Sequence, residues 1–70
     1  MKLRPQYTLD PLTAQIWPLD QWSRKIILNL LTESGIIFDD SIPTTMGTPA
    51  IRIASNNDYL TAKKLLGEYK

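Results

Sequence analysis

The stretch Leu19–Ile36, LDQWSRKIILNLLTESGI, decides how this chain folds. Asp20 stands where a helix cap belongs, its carboxylate able to accept from the orphan amides of a first turn. Leu19, just before it, can act as the apolar staple. From Gln21 to Ser34 the apolar residues keep a helical period. At about 100° per residue, Trp22, Ile26, Ile27, Leu30 and Leu31 fall within one broad arc, with Gln21, Lys25 and Thr32 opposite. Gly35 then supplies the left-handed exit common at helix ends. Leu28 falls outside the arc, beside Arg24, so the helix is apolar over more than the face a lone sheet covers.

Working outward, the residues on either side alternate instead. Thr13 to Trp17, TAQIW, reads as a strand with Ala14 and Ile16 pointing one way and Gln15 and Trp17 the other. Pro18 is expected to end it, because proline has no N–H for a sheet ladder. Ile36 to Phe38 reads as a second strand closed by Asp39-Asp40, and residues 41–49, with two prolines, three threonines and Gly47, as a loop. Ala50 to Ala54, AIRIA, is a third strand with Ile51 and Ile53 inward and Arg52 outward. A second amphipathic helix follows, about Asn57 to Leu66, with Tyr59, Ala62, Leu65, Leu66 and Tyr69 along one side. Ser55 with Asp58 resembles a capping box, and Asn56 or Asn57 are alternative caps. Leu60 lies off the apolar side and is expected at the surface.

These elements make a β-α-β-β-α order, an α+β domain with two helices packed on one face of a small three-stranded sheet. A right-handed crossover through the first helix makes the strands on either side of it parallel neighbours or leaves them one place apart. Residues 13–70 are expected to be the single domain and residues 1–12 an extended arm. Within the arm Pro5 and Pro11 discourage helix, while Leu3, Tyr7 and Leu9 keep a period of two, as a short edge strand or an extended arm would.

Composition limits the function further. Seventy residues bury only roughly 60% of their unfolded surface. With no Cys, neither disulfides nor thiolate metal sites are available to staple the fold. The net charge of +1 gives no strong pull toward nucleic acid, membrane or acidic substrates. No apolar run exceeds three residues, so no membrane span is expected. Met1-Lys2 is followed by Leu3-Arg4-Pro5 and not by an apolar core, so a signal peptide is not expected and the cytoplasm is the default location.

The segments LNLLTESGI (28–36) and AIRIASNNDYLTAKKLL (50–66), separated by a loop, resemble a small bacterial family of putative signal-transducing domains. The resemblance covers residues 13–69. It implies a fold similar to half of a ferredoxin-like domain and a role in binding or regulation, and it carries over no functional residues. The chain departs from it at Trp17-Pro18 and Trp22.

Catalysis finds little support in the residue types. Without His the commonest general base is missing, and without Cys the most reactive nucleophile is missing. Asp39-Asp40 is the one adjacent carboxylate pair, and at a strand end its members face opposite sides. The Thr44–Thr48 loop lacks the Gly-rich pattern of a phosphate loop and its lysine. An enzyme is not expected, and no cofactor, metal or small-molecule substrate is inferred.

Binding remains. Arg24-Lys25, Arg52 and Lys63-Lys64 are spread over three elements, which is the pattern of ordinary solvated charge. Arg52 with Gln15 and Trp17 would form a polar and aromatic platform if that sheet face is open, the composition used to stack single-stranded bases. Trp17, Trp22, Leu28, Leu60 and Met46, with Ile37 and Tyr7, are more apolar side chains than the small core needs, and aromatics and Met are enriched at protein interfaces. The favoured expectation is a protein-binding or regulatory module, a homodimer or a subunit docking on a larger protein. Tyr7, Trp17, Leu28, Met46, Arg52, Leu60 and the 39–49 loop are its candidate contacts. A single-stranded nucleic-acid binder using the same face is the alternative, and a small inhibitor of a larger enzyme a further one.

Overall fold

The computed structural model describes residues 4–45 and 48–68. Six elements follow one another: β1 (Tyr7–Asp10), β2 (Gln15–Pro18), α1 (Gln21–Glu33), β3 (Phe38–Ile42), β4 (Ala50–Ile53) and α2 (Asn56–Glu68). The α1 boundaries are set by local chemistry, as its sequence predicts. Asp20 Oδ1 accepts from the Ser23 amide at 2.7 Å, filling one orphan donor of the first turn. At the other end Gly35 takes φ +71°, and the Gly35 and Ile36 amides donate back to the Thr32 and Leu31 carbonyls.

The sheet has four strands, in the order β1-β2-β4-β3, and every neighbouring pair is antiparallel. This corrects the three-stranded, β-α-β-β-α expectation. The additional strand comes from the segment read as an arm, where Tyr7 and Leu9 do alternate onto the core. The β2–α1–β3 unit leaves its two strands one place apart, and β4 fills the gap between them.

Two further boundaries move. The strand read from Thr13 begins at Gln15, with Thr13 and Ala14 in the turn before it, and it ends at Pro18, which lies opposite Tyr7. The neighbouring Leu19 amide donates to the Gln6 carbonyl at 2.9 Å. Hydrogen-bonded pairs alternate along an antiparallel ladder, so the Tyr7–Pro18 pair needs no N–H. Asp39 and Asp40 lie inside β3 and do not close it. The strand accommodates them because it is an edge, and the register slips by one residue between Asp39 and Ile42, the signature of a bulge. Asp39 pairs across from Arg52, while Asp40 takes the Arg24 guanidinium on its carbonyl at 3.1 Å and its carboxylate at 3.4 Å.

Alternation and register put Ile16, Ile51 and Ile53 on one side of the sheet. There they join Ile27 and Leu31 of α1, Ile36, and Tyr59, Ala62 and Leu66 of α2 in a single core. Both helices therefore cover the same face. Ser23 is fully buried among these apolar groups, and its Oγ accepts from the Gln6 amide at 2.7 Å. Trp22, placed by periodicity in the apolar arc, is half exposed, because Ser23, Ile27 and Leu31 are the α1 side chains that turn fully inward.

Candidate interaction face

Among the described residues no helix lies against the opposite side of the sheet. Alternation places Thr8 and Asp10 of β1, Gln15 and Trp17 of β2, Arg52 and Ala50 of β4, and Asp39 of β3 there. Register arranges them in rows. Asp10 lies opposite Gln15, Gln15 opposite Arg52, and Arg52 opposite Asp39, a polar row crossing all four strands. Thr8 lies opposite Trp17, and on the neighbouring pair of strands Ala50 lies opposite Ile42, which makes a second row. Ala50 in that second row is fully buried.

The two rows are joined by one side-chain bond. Trp17 Nε1–H donates to Gln15 Oε1 at 2.8 Å, which satisfies the indole's polar edge and orients the Gln15 amide toward it. On β3, the Ser41 hydroxyl and the Ser41 amide donate to Asp39 Oδ1 at 2.7 and 3.0 Å. These bonds, with a smaller contribution from the positive charge of Arg52, hold the Asp39 carboxyl below the usual carboxylate range.

One end of this face opens into a shallow depression of about 660 Å³. Leu12 and Ala14 of the β1–β2 turn form one wall, Ile37 and Asp39 another, and Arg52 and Asn56 complete it. Leu12 is 95% exposed and Ile37 72% exposed, so two large aliphatic side chains stand in solvent on either side of a concavity. Leu12 also borders a smaller hollow of about 380 Å³, shared with Thr8, Pro11 and Trp17. The turn that carries it is held in shape. The Leu12 amide donates to Asp10 Oδ1 at 3.1 Å, and the Ala14 carbonyl accepts from the Ile53 amide at 2.9 Å, with Ala14 itself at φ +54°.

The predicted contact residues divide accordingly. Trp17 and Arg52 share the open face, each beside Gln15. Tyr7 points the other way and packs partly against the core, as does Leu28. Leu60 is exposed on α2, 56% accessible and away from the sheet's open side. Met46 lies outside the described residues. Leu12 was not singled out in the sequence, yet Asp10-Pro11 followed by an apolar residue between two alternating segments is the signal of a turn that displays it.

Among the described residues no group of three or more His, Cys, Asp or Glu side chains is placed to hold a metal ion. No described helix is long and apolar enough to cross a membrane. No family model, curated protein or solved structure matches the chain.

Proposed function

We propose that this chain is a non-catalytic module that binds another protein through the open sheet face and its Leu12–Ile37 end. The observation that carries the reading is that pair of solvent-exposed aliphatic side chains flanking one depression. Burying them on a partner is favourable, and Trp17, Gln15 and Arg52 beside them supply the aromatic and hydrogen-bonding groups common at interfaces. Ile42, the last residue of β3, extends the same surface. The sequence resemblance to a family of putative signal-transducing domains implies a fold similar to half of a ferredoxin-like domain. A binding or regulatory role agrees with that resemblance.

The nucleic-acid alternative shares Trp17 and Arg52 but is disfavoured by charge. Among the described residues this face sets two carboxylates, Asp10 and Asp39, against the single guanidinium of Arg52. Phosphate neutralisation dominates nucleic-acid affinity, and this face offers little of it. The deciding experiment is capture from native lysate with the wild-type chain, Leu12→Asp and Arg52→Glu, each with and without nuclease. A stoichiometric protein retained after nuclease and lost with Leu12→Asp is the expected result. Retention that vanishes on nuclease treatment and is weakened by Arg52→Glu would replace it with the nucleic-acid reading.

A further inference from the structure

We propose that Arg24 and Asp39 form a clamp that closes the free edge of β3 against the addition of a further strand. β3 ends the sheet order, so one side of it has no strand partner among the described residues. An unpaired edge is a template on which another chain can add a strand. The opposite edge is protected by its composition, since β1 is four residues long and lies between Pro5 and Pro11. β3, Phe38-Asp39-Asp40-Ser41-Ile42, is longer and has no proline within it. Its protection has to come from elsewhere.

The register shows where. Asp39 to Ile42 is three steps along β3, while their partners, Arg52 and Ala50, are two steps apart on β4. Asp40 and Ser41 together therefore oppose the single residue Ile51, and the peptide between them belongs to the bulge. Just before β3, the Ile37 carbonyl accepts from the Ala54 amide at 3.2 Å, so Ile37 turns its backbone groups toward β4. Alternation then turns those of Phe38 and Asp40 outward, toward the free edge.

Both polar groups of the Asp40–Ser41 peptide are taken by side chains. Arg24 Nη2–H donates to the Asp40 carbonyl at 3.1 Å, and the Ser41 amide donates to Asp39 Oδ1 at 3.0 Å. The carbonyl that an added strand would need is thus occupied from α1, and the other end of the same peptide is held in the bulge. The Asp40 carboxylate, 3.4 Å from the same nitrogen, helps to keep the guanidinium there. Arg24 Nε is left buried without a hydrogen-bond partner. An orphaned buried donor is destabilising, so this placement is not one that the stability of the arginine's own surroundings favours. The clamp acts on an edge of the sheet and is independent of what its open face binds.

Sedimentation of the full chain across a wide concentration range, combined with amide hydrogen exchange, tests the clamp. Asp39→Ala and Arg24→Ala should self-associate at concentrations about tenfold or more below those the wild type needs. In the associated species the outward amides of Phe38 and Asp40 should gain protection. Asp39→Asn should behave as wild type, because its amide oxygen still accepts from the Ser41 amide. Asp20→Ala lowers stability at the α1 cap, leaves both clamp bonds in place, and should stay as dispersed as wild type. If Arg24→Ala does not fold, the comparison of Asp39→Ala with Asp39→Asn decides alone. The proposal is overturned by an Asp39→Ala or a folded Arg24→Ala that associates no more readily than wild type. It is equally overturned if Asp39→Asn or Asp20→Ala associates as readily as Asp39→Ala, or if the Phe38 amide gains no protection on association.

Discussion

The backbone amide of Gln6 donates to the buried hydroxyl oxygen of Ser23 across 2.7 Å, and this contact ties the start of the first strand to the first turn of α1. The Gln6 carbonyl is engaged as well, by the Leu19 amide at 2.9 Å. One residue just ahead of β1 is thus held to both the end of β2 and the helix that follows it. Ser23 completes the junction by donating its own amide to Asp20.

Replacing Ser23 with alanine should therefore cost more than an ordinary helix substitution. The pocket is left without an acceptor for the Gln6 amide, which costs about 1–3 kcal/mol. Denaturant unfolding would measure the loss, and amide exchange at Gln6 should quicken beyond what the global change requires. Unchanged stability and unchanged Gln6 protection would show that the contact does not hold the strand.

The cap at Asp20 makes a separate prediction. Asp20→Ala removes the acceptor for the Ser23 amide and should destabilise by about 1 kcal/mol, whereas Asp20→Asn should cost far less because its amide oxygen still accepts. Equal losses for the two variants would mean that the carboxylate acts by charge and not by capping.

Two glycines should respond to alanine with opposite signs. Gly35 sits at φ +71° with open space around an added Cβ, so only backbone strain opposes the change. Gly35→Ala should cost about 1–2 kcal/mol. Gly67 lies in α2 with the same open surroundings and no left-handed backbone, so Gly67→Ala should stabilise by up to about 1 kcal/mol, less if the last turn frays. Thermal unfolding of the two variants side by side checks both signs.

The Asp39 carboxyl should titrate below its ordinary value, chiefly because the Ser41 side chain and backbone donate to it. For a carboxyl whose folded value is lowered, the linked stability is present above the unfolded value and is lost as pH falls through the folded one. Nuclear magnetic resonance titration of the carboxyl carbon should show Ser41→Ala moving it back up further than Arg52→Gln does. The reverse ranking would make the charge of Arg52, and not the hydrogen bonds, the main cause.

Legibility in the sequence tracked the range of the interactions involved. The α1 cap, its exit at Gly35, the inward Ile51 and Ile53 and the exposed Leu60 all follow from spacing within a few residues. The placement of Trp17, Gln15 and Arg52 on one face was readable as well, because strand alternation is local. β1 was harder. Its four residues are flanked by prolines that resemble a tail, and what makes them a strand is the partner β2. Trp22 lies further out than its period predicts for a similar reason, since Ser23 takes the buried place beside it. Periodicity ranks residues by angle, but a hydroxyl is drawn inward only when a distant amide, here Gln6, needs an acceptor.

The chain's own order of residues determined where its helices begin and end, which strand residues face the core, and that no His or Cys is available for chemistry. Those properties depend on dihedral preferences, caps and periods that act over one or two turns. Tertiary structure alone decided that β4 lies between β2 and β3, that the polar row from Asp10 to Asp39 crosses four strands, and that Leu12 and Ile37 flank one depression. Each of these joins residues far apart in sequence. Such pairings are selected by whole-domain packing, in which the two helices bury one face of the sheet and leave the other to solvent.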